Sequence, residues 1–197
     1  MATSRKQPQQ ERSRETVAVL LEAAAQVFER DGYSATTTNR IAARAGVSIG
    51  SLYQYFPNKE ALVAALAEQY LHDAEARVSA TFHRLAEERS TLETLLWELV
   101  RFIVDARRPD LFRELFERSP RTPELLALLR DTQRRTARRL TGELWRVGVV
   151  MDDPDATSLL IVQGMSAQVA GSVLPASDAE RDTRVRQVVD LWMRALS

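Results

Sequence analysis

The chain contains no cysteine and only two histidines, His72 and His83. The first absence excludes disulfides, thiolate zinc sites and a cysteine nucleophile. The histidines lie eleven residues apart in a segment of helical periodicity. That is about three turns, too far for both to ligate one metal along a straight helix. Even with Glu68, Asp73 and Glu75 nearby they read as surface residues, so no metal or cofactor is expected. No apolar run approaches the ~18 residues that span a bilayer. The segment from Met1 to Arg14 is polar and basic, unlike a secretory signal, and a cytoplasmic location is the expectation. Lysine is scarce at 2 residues against 25 arginines, which points to genomic base composition rather than function. No segment alternates with period two, so strands are not expected.

What remains is 197 residues, 45% of them hydrophobic, enough for one medium domain or a small domain fused to a larger one. Net charge is zero but unevenly spread. Residues 1–59 carry eight basic and five acidic residues, a net of +3, which leaves −3 for the remainder. A basic N-terminal third on an acidic body suits phosphate binding at one end, although so small a difference also arises by chance.

Nearly everything reads as helix, about nine in all. After a polar tail over residues 1–10, a helix from Arg12 to Arg30 presents Val17, Leu20, Leu21, Ala24, Val27 and Phe28 on one face. Asp31-Gly32 stops it, since glycine accepts a left-handed cap. Two short helices follow as far as Phe56. Asn58 caps a long helix to about Glu88, and Glu60 complements its dipole. Ser90-Thr91-Leu92-Glu93 reads as a capping box for the next helix. Pro109-Asp110 starts a short one, and Thr122-Pro123 starts another that ends at Gly148. Asp153-Pro154 begins a helix to about Ser172, and Ser177–Glu180 is a second capping box for a last helix to Leu196.

The informative stretch is Ile41–Phe56. Thr37 can cap a helix beginning at Thr38. Ile41, Ala42 and Ala45 form an apolar seam whose small residues let another helix cross closely. Gly46 supplies a positive-φ turn, and Ser48 caps the next helix. Val47 and Leu52 form a hydrophobic staple, while Leu52 and Phe56 point into a small core. That leaves Ser48, Ile49, Gly50, Ser51, Gln54 and Tyr55 to face base edges in a major groove. Gly50 costs about 1 kcal/mol of helix propensity, which suggests close backbone approach to something such as a phosphate. Tyr53 and Lys59 carry groups suited to phosphate. Two ordinary short helices in an all-α core would explain the same pattern less specifically.

The wider run decides between these readings. Phe28, Gly32-Tyr33, Thr36-Thr37, Ile41-Ala42, Ala45–Ser48, Gly50, Leu52-Tyr53, Tyr55-Phe56, Lys59 and Leu62 together resemble the N-terminal domain of the TetR family of bacterial regulators, over roughly residues 12–66. The resemblance implies an all-α fold and a homodimer. It also implies a recognition helix over Ser48–Tyr55 in the major groove of operator DNA. Thr37, Tyr53 and Lys59 would then contact phosphate, and Thr38 and Asn39 would lie where the preceding helix touches DNA. Asn39 departs from the arginine common there. A small-molecule effector in the larger C-terminal domain would control the spacing of the two reading heads. The expected division is a basic arm over 1–11, a DNA-binding domain over 12–58 and an effector and dimerisation domain over 59–197. Within the arm, Arg5, Lys6, Arg12 and Arg14 suit either a neighbouring phosphate or plain solvation.

The C-terminal body is read from its own residues. Gly164, Ala167 and Gly171 on one helix, with Val185, Val188, Val189, Trp192 and Leu196 on the last, suit a four-helix interface between subunits or the subunit's own core. For a mostly apolar effector, the candidate polar groups are Gln133, Thr136 and Gln163, with Trp97, Phe102, Phe112, Phe116 and Met165 as walls. Ordinary packing accounts for each of these as well. The reading is of a ligand-released repressor that is not an enzyme. The alternatives are a structural DNA-binding protein without an effector and a small helical enzyme. The last lacks a Ser/His/acid arrangement, a metal motif and a phosphate motif.

Overall fold

The computed structural model describes the backbone of residues 6–107 and 110–196, with side chains from residue 12 onward. All regular structure among the described residues is helical, as the periodicity requires. The elements are α1 (Lys6–Ala35), α2 (Thr38–Ala45), α3 (Ile49–Tyr55), α4 (Lys59–Glu87) and α5 (Leu92–Arg107). They continue with α6 (Asp110–Arg113), α7 (Pro123–Arg146), α8 (Pro154–Gln168) and α9 (Asp178–Leu196). Single π-helical turns follow α6 (Glu114–Arg118) and α8 (Val169–Val173). No described helix is long and apolar enough to cross a membrane. Arg5 and the start signal at Pro109 lie outside the described residues.

Most helix starts follow the capping chemistry. Thr37 accepts the Arg40 amide, Ser48 that of Ser51 and Asn58 that of Ala61. Thr122 and Asp153 do the same for Leu125 and Ala156. At α5 the cap is Thr91, whose hydroxyl accepts the Thr94 amide, rather than the expected Ser90. At α9 the Ser177 hydroxyl and amide both donate to Glu180. α1 differs more from expectation, since it begins at Lys6, inside the segment read as a tail. It is also broken at Gly32, where φ is +77° and ψ is 162°.

The chain forms two compact units. One comprises Met1–Gln69 and Asp110–Leu125; the other comprises Tyr70–Pro109 and Leu126–Ser197. In the first, Leu20, Ala24, Phe28, Ile41, Leu52, Leu62 and Leu115 are fully buried. In the second, the core gathers Leu85, Leu95, Leu96 and Val100 with Leu140, Leu144, Ile161, Met165, Val169 and Val173. Each such aliphatic side chain contributes about 1.5–3 kcal/mol relative to exposure. One polar pair sits in that core, the Thr141 and Ser158 hydroxyls 2.8 Å apart.

Candidate nucleic-acid interface and ligand groove

α2 and α3 have eight and seven residues. Helices that short do not hold in isolation, so caps and packing must fix them. Gly46 turns the chain at φ +69°, and its amide returns to Ala43 O at 3.2 Å. The Val47 amide closes on Ala42 O at 3.1 Å. Ile41 and Ala42 of α2 and Leu52 of α3 are buried, and Phe56 closes the same small core.

The opposite face of α3 is left to solvent. Ser48, Gly50, Tyr53 and Gln54 are exposed there, with Ile49, Ser51 and Tyr55 half-buried. A Cβ on Gly50 would meet only Ser48 Oγ, at 3.8 Å. Nothing within the subunit therefore requires a glycine at that position. Tyr53 is 49% exposed, and its hydroxyl lies 3.1 Å from that of Thr38. Two hydroxyls from two helices thus share one spot on the open face. Thr37 and Asn39 are exposed beside them.

Lys59 has a second occupation. Its ammonium donates to Tyr33 O at 2.8 Å and to Thr36 O at 3.0 Å, and lies 4.0 Å from the Tyr33 ring centre. Two of its three donors are thereby committed to the α1–α2 junction. The Tyr33 hydroxyl donates to Glu60 at 2.8 Å. Burial first, and the Glu60 carboxylate second, push the phenol up to about 12. The same hydrogen bond holds the Glu60 carboxyl below its usual range. Glu114, 4% exposed, accepts the Tyr33 amide at 2.7 Å. Sequence reasoning missed Glu114, because no local signal links positions 81 residues apart.

Residues 20–66 match the family model described as bacterial regulatory proteins, tetR family. A solved TetR-family regulator from Pectobacterium atrosepticum superposes with a TM-score of 0.70 at 27% identity, covering 93% of this chain and 94% of that one. The chain is thus similar to TetR-family regulators, in sequence over its N-terminal head and in fold over most of its length. It is 30% identical over 115 residues to the HTH-type transcriptional regulator YvkB of Bacillus subtilis, 56% of this chain and 61% of that protein. It is 36% identical over 77 residues to the HTH-type transcriptional repressor KstR2 of Rhodococcus jostii, 39% of this chain and 38% of that protein. The matched region thus spans less than two thirds of either relative.

The residues expected to line an effector pocket are dispersed. Met165 is fully buried in the core of the second unit, and Gln163 is exposed. Gln133 and Thr136 are half-buried on α7. Phe112 and Phe116 pack together in the first unit, ring centres 4.8 Å apart. Only Trp97 and Phe102 line the large groove of the second unit, which has a volume of about 950 Å³. Its other walls are Tyr70, Arg77 and Thr81 of α4, Glu98, Arg101 and Asp105 of α5, and Arg181, Asp182, Val185 and Arg186 of α9. The signal for it was present on α5: residues 97, 98, 101, 102 and 105 recur at helical spacing, beside the stripe that fills the core.

The expected interface residues divide similarly. Val185, Val188 and Val189 are buried in the subunit's own core, with Trp192 and Leu196 packed against it. Gly164 serves Trp192, since a Cβ there would come within 2.6 Å of the indole. The indole N–H in turn donates to Gln168 at 2.8 Å. Ala167 and Gly171 face solvent with Leu160, which is 63% exposed, and Leu191 of α9 is 45% exposed.

Proposed function

We propose that this protein is a homodimeric transcriptional regulator of the TetR family that reads operator DNA with α3 and responds to a small molecule. The observation that carries the reading is the open face of α3. Gly50 leaves room for close backbone approach, and the Tyr53 and Thr38 hydroxyls converge beside it. A capped helix N-terminus suits a phosphate, and side chains at Ile49, Ser51, Gln54 and Tyr55 suit base edges in the major groove. Tyr53, Thr37 and the third donor of Lys59 serve backbone phosphates, with Thr38 and Asn39 alongside. Such contacts read sequence and perform no chemistry, so the protein acts in the cytoplasm as a regulator and not as an enzyme.

Dimerisation supplies two reading heads for a two-fold operator. Leu160, Gln163 and Ala167 of α8, Gly171 of the π turn after it and Leu191 of α9 form the apolar-to-small face that a second copy covers. Val185, Val188 and Val189 stay within the subunit's own core. A ligand that favours the conformation with mismatched head spacing shifts the population off the operator. Repression released by a ligand is the working mode, consistent with the repressor named among its relatives.

Footprinting of the gene's own upstream region, paired with sedimentation analysis, tests this. The expected result is a protected two-fold site bound by a dimer, and Leu160→Glu yields monomers that lose it. A monomeric wild-type protein, or protection without sequence preference, contradicts it.

A further inference from the structure

The groove of the second unit has a chemistry that the sequence did not announce. Its volume of about 950 Å³ lies near the top of the ~300–1,000 Å³ usual for small-molecule sites. Trp97, Phe102 and Tyr70 are half-buried along it, and Val104 and Val185 are buried. The Tyr70 hydroxyl is committed to the Ala106 carbonyl.

Charge sets the groove apart from an apolar pocket. Four arginines and three carboxylates line it. Glu98 is paired with Arg84 at 3.1 Å, and Arg181 is paired with Asp178. Among the described residues Arg77, Arg101 and Arg186 form no ion pair, and neither do Asp105 and Asp182. Three guanidinium groups against two carboxylates leave one positive charge uncompensated. The Arg77 guanidinium already sits 6.0 Å from the Phe102 ring centre, where a ligand cation would otherwise lie. A cationic ligand would meet that guanidinium, and a dianion would meet the two aspartates.

We propose that this groove binds an amphipathic monoanion, an aromatic or acyl carboxylate, with its charge among Arg77, Arg101 and Arg186 and its body against Trp97 and Phe102. The proposal rests on the ligand-responsive reading above and sharpens the expectation of a mostly apolar effector. Guanidinium groups match carboxylates in geometry as well as charge. The groove face of α9 (181, 182, 185, 186) lies about half a turn from its exposed face (Gln187, Leu191), so a dimer on the latter leaves the groove open.

Calorimetry on the full-length protein tests this with four probes: 1-naphthylacetate, decanoate, 1-naphthylacetamide and 1-naphthylmethylammonium. The expected result is that at least one carboxylate binds, and that naphthylacetate binds about tenfold or more tightly than the amide or the ammonium. Arg101→Gln and Arg186→Gln remove that preference while leaving the melting temperature unchanged, and Phe102→Ala weakens both naphthyl probes. Failure of both carboxylates to bind overturns the proposal. So does equal or tighter binding of the amide or ammonium, or a preference untouched by both arginine variants. DNA binding is read separately. Carboxylate binding without operator release leaves the groove assignment standing and removes the regulatory link. Operator release that persists in both arginine variants places the effector elsewhere.

Discussion

Glu114 accepts the Tyr33 amide at 2.7 Å, joining the π turn after α6 to the α1–α2 junction. Its other oxygen takes Arg118, and its Oε2 lies 3.4 Å from where a Gly32 Cβ would stand. Buried carboxylates need such partners, because removing one partner strands the other. Glu114→Ala leaves the Tyr33 amide without its acceptor and is expected to cost about 1–3 kcal/mol in urea denaturation. Glu114→Gln keeps an acceptor oxygen and loses less. Equal losses from both would show that the side chain's bulk matters and the amide bond does not.

The two glycines of the head separate structural from binding roles. Gly32 holds φ +77° and ψ 162°, a conformation costing other residues about 1–3 kcal/mol. Gly32→Ala is therefore expected to lower stability by that amount. Gly50→Ala removes helix-breaking character worth about 1 kcal/mol and meets no crowding, so it preserves or raises stability. Thermal melts of both variants check the contrast, and a Gly50→Ala variant as unstable as Gly32→Ala would contradict it.

Thr141 and Ser158 satisfy one another within an otherwise apolar core. Thr141→Val alone strands the Ser158 hydroxyl and is expected to cost about 1–3 kcal/mol. Adding Ser158→Ala removes the stranded group and recovers part of the loss. A double-mutant cycle in urea measures this, and strictly additive losses would refute the coupling.

Tyr33 sets an alkaline limit. Its phenol, ordinarily near 10, is raised to about 12 by burial and by Glu60. The folded phenol holds its proton more tightly than the unfolded one. Its contribution is therefore whole below about pH 10 and falls away as pH rises toward 12. Denaturation from pH 8 to 11 is expected to show a decline that is shallower in Tyr33→Phe. Identical slopes would remove Tyr33 as the cause.

Local chemistry made much of this legible in advance. Thr37, Gly46, Ser48, Asn58, Thr122 and Asp153 are caps or turn residues whose partners lie within four positions, and the structure places each at a helix end. Ser90 failed as a cap because Thr91 offers the same hydroxyl one residue nearer to α5. What depends on distant pairing stayed hidden. Glu114 looks like any helix-surface acid until its π turn packs on Gly32. Lys59 looks like a free cation until Tyr33 and Thr36 supply carbonyls. Val185, Val188 and Val189 form an apolar stripe whose pattern does not say whether a subunit's own core or a second subunit covers it. The groove arginines come from three helices and share no local motif.

The central claim, that the open face of α3 reads DNA, is tested most directly by a gel shift on the gene's own upstream region. The wild type is compared with Tyr53→Ala and Gly50→Glu, both at exposed positions where folding should survive. The account predicts a specific complex for the wild type. It predicts loss of that complex in both variants at unchanged melting temperature. Both variants binding as tightly and as specifically as the wild type would contradict it.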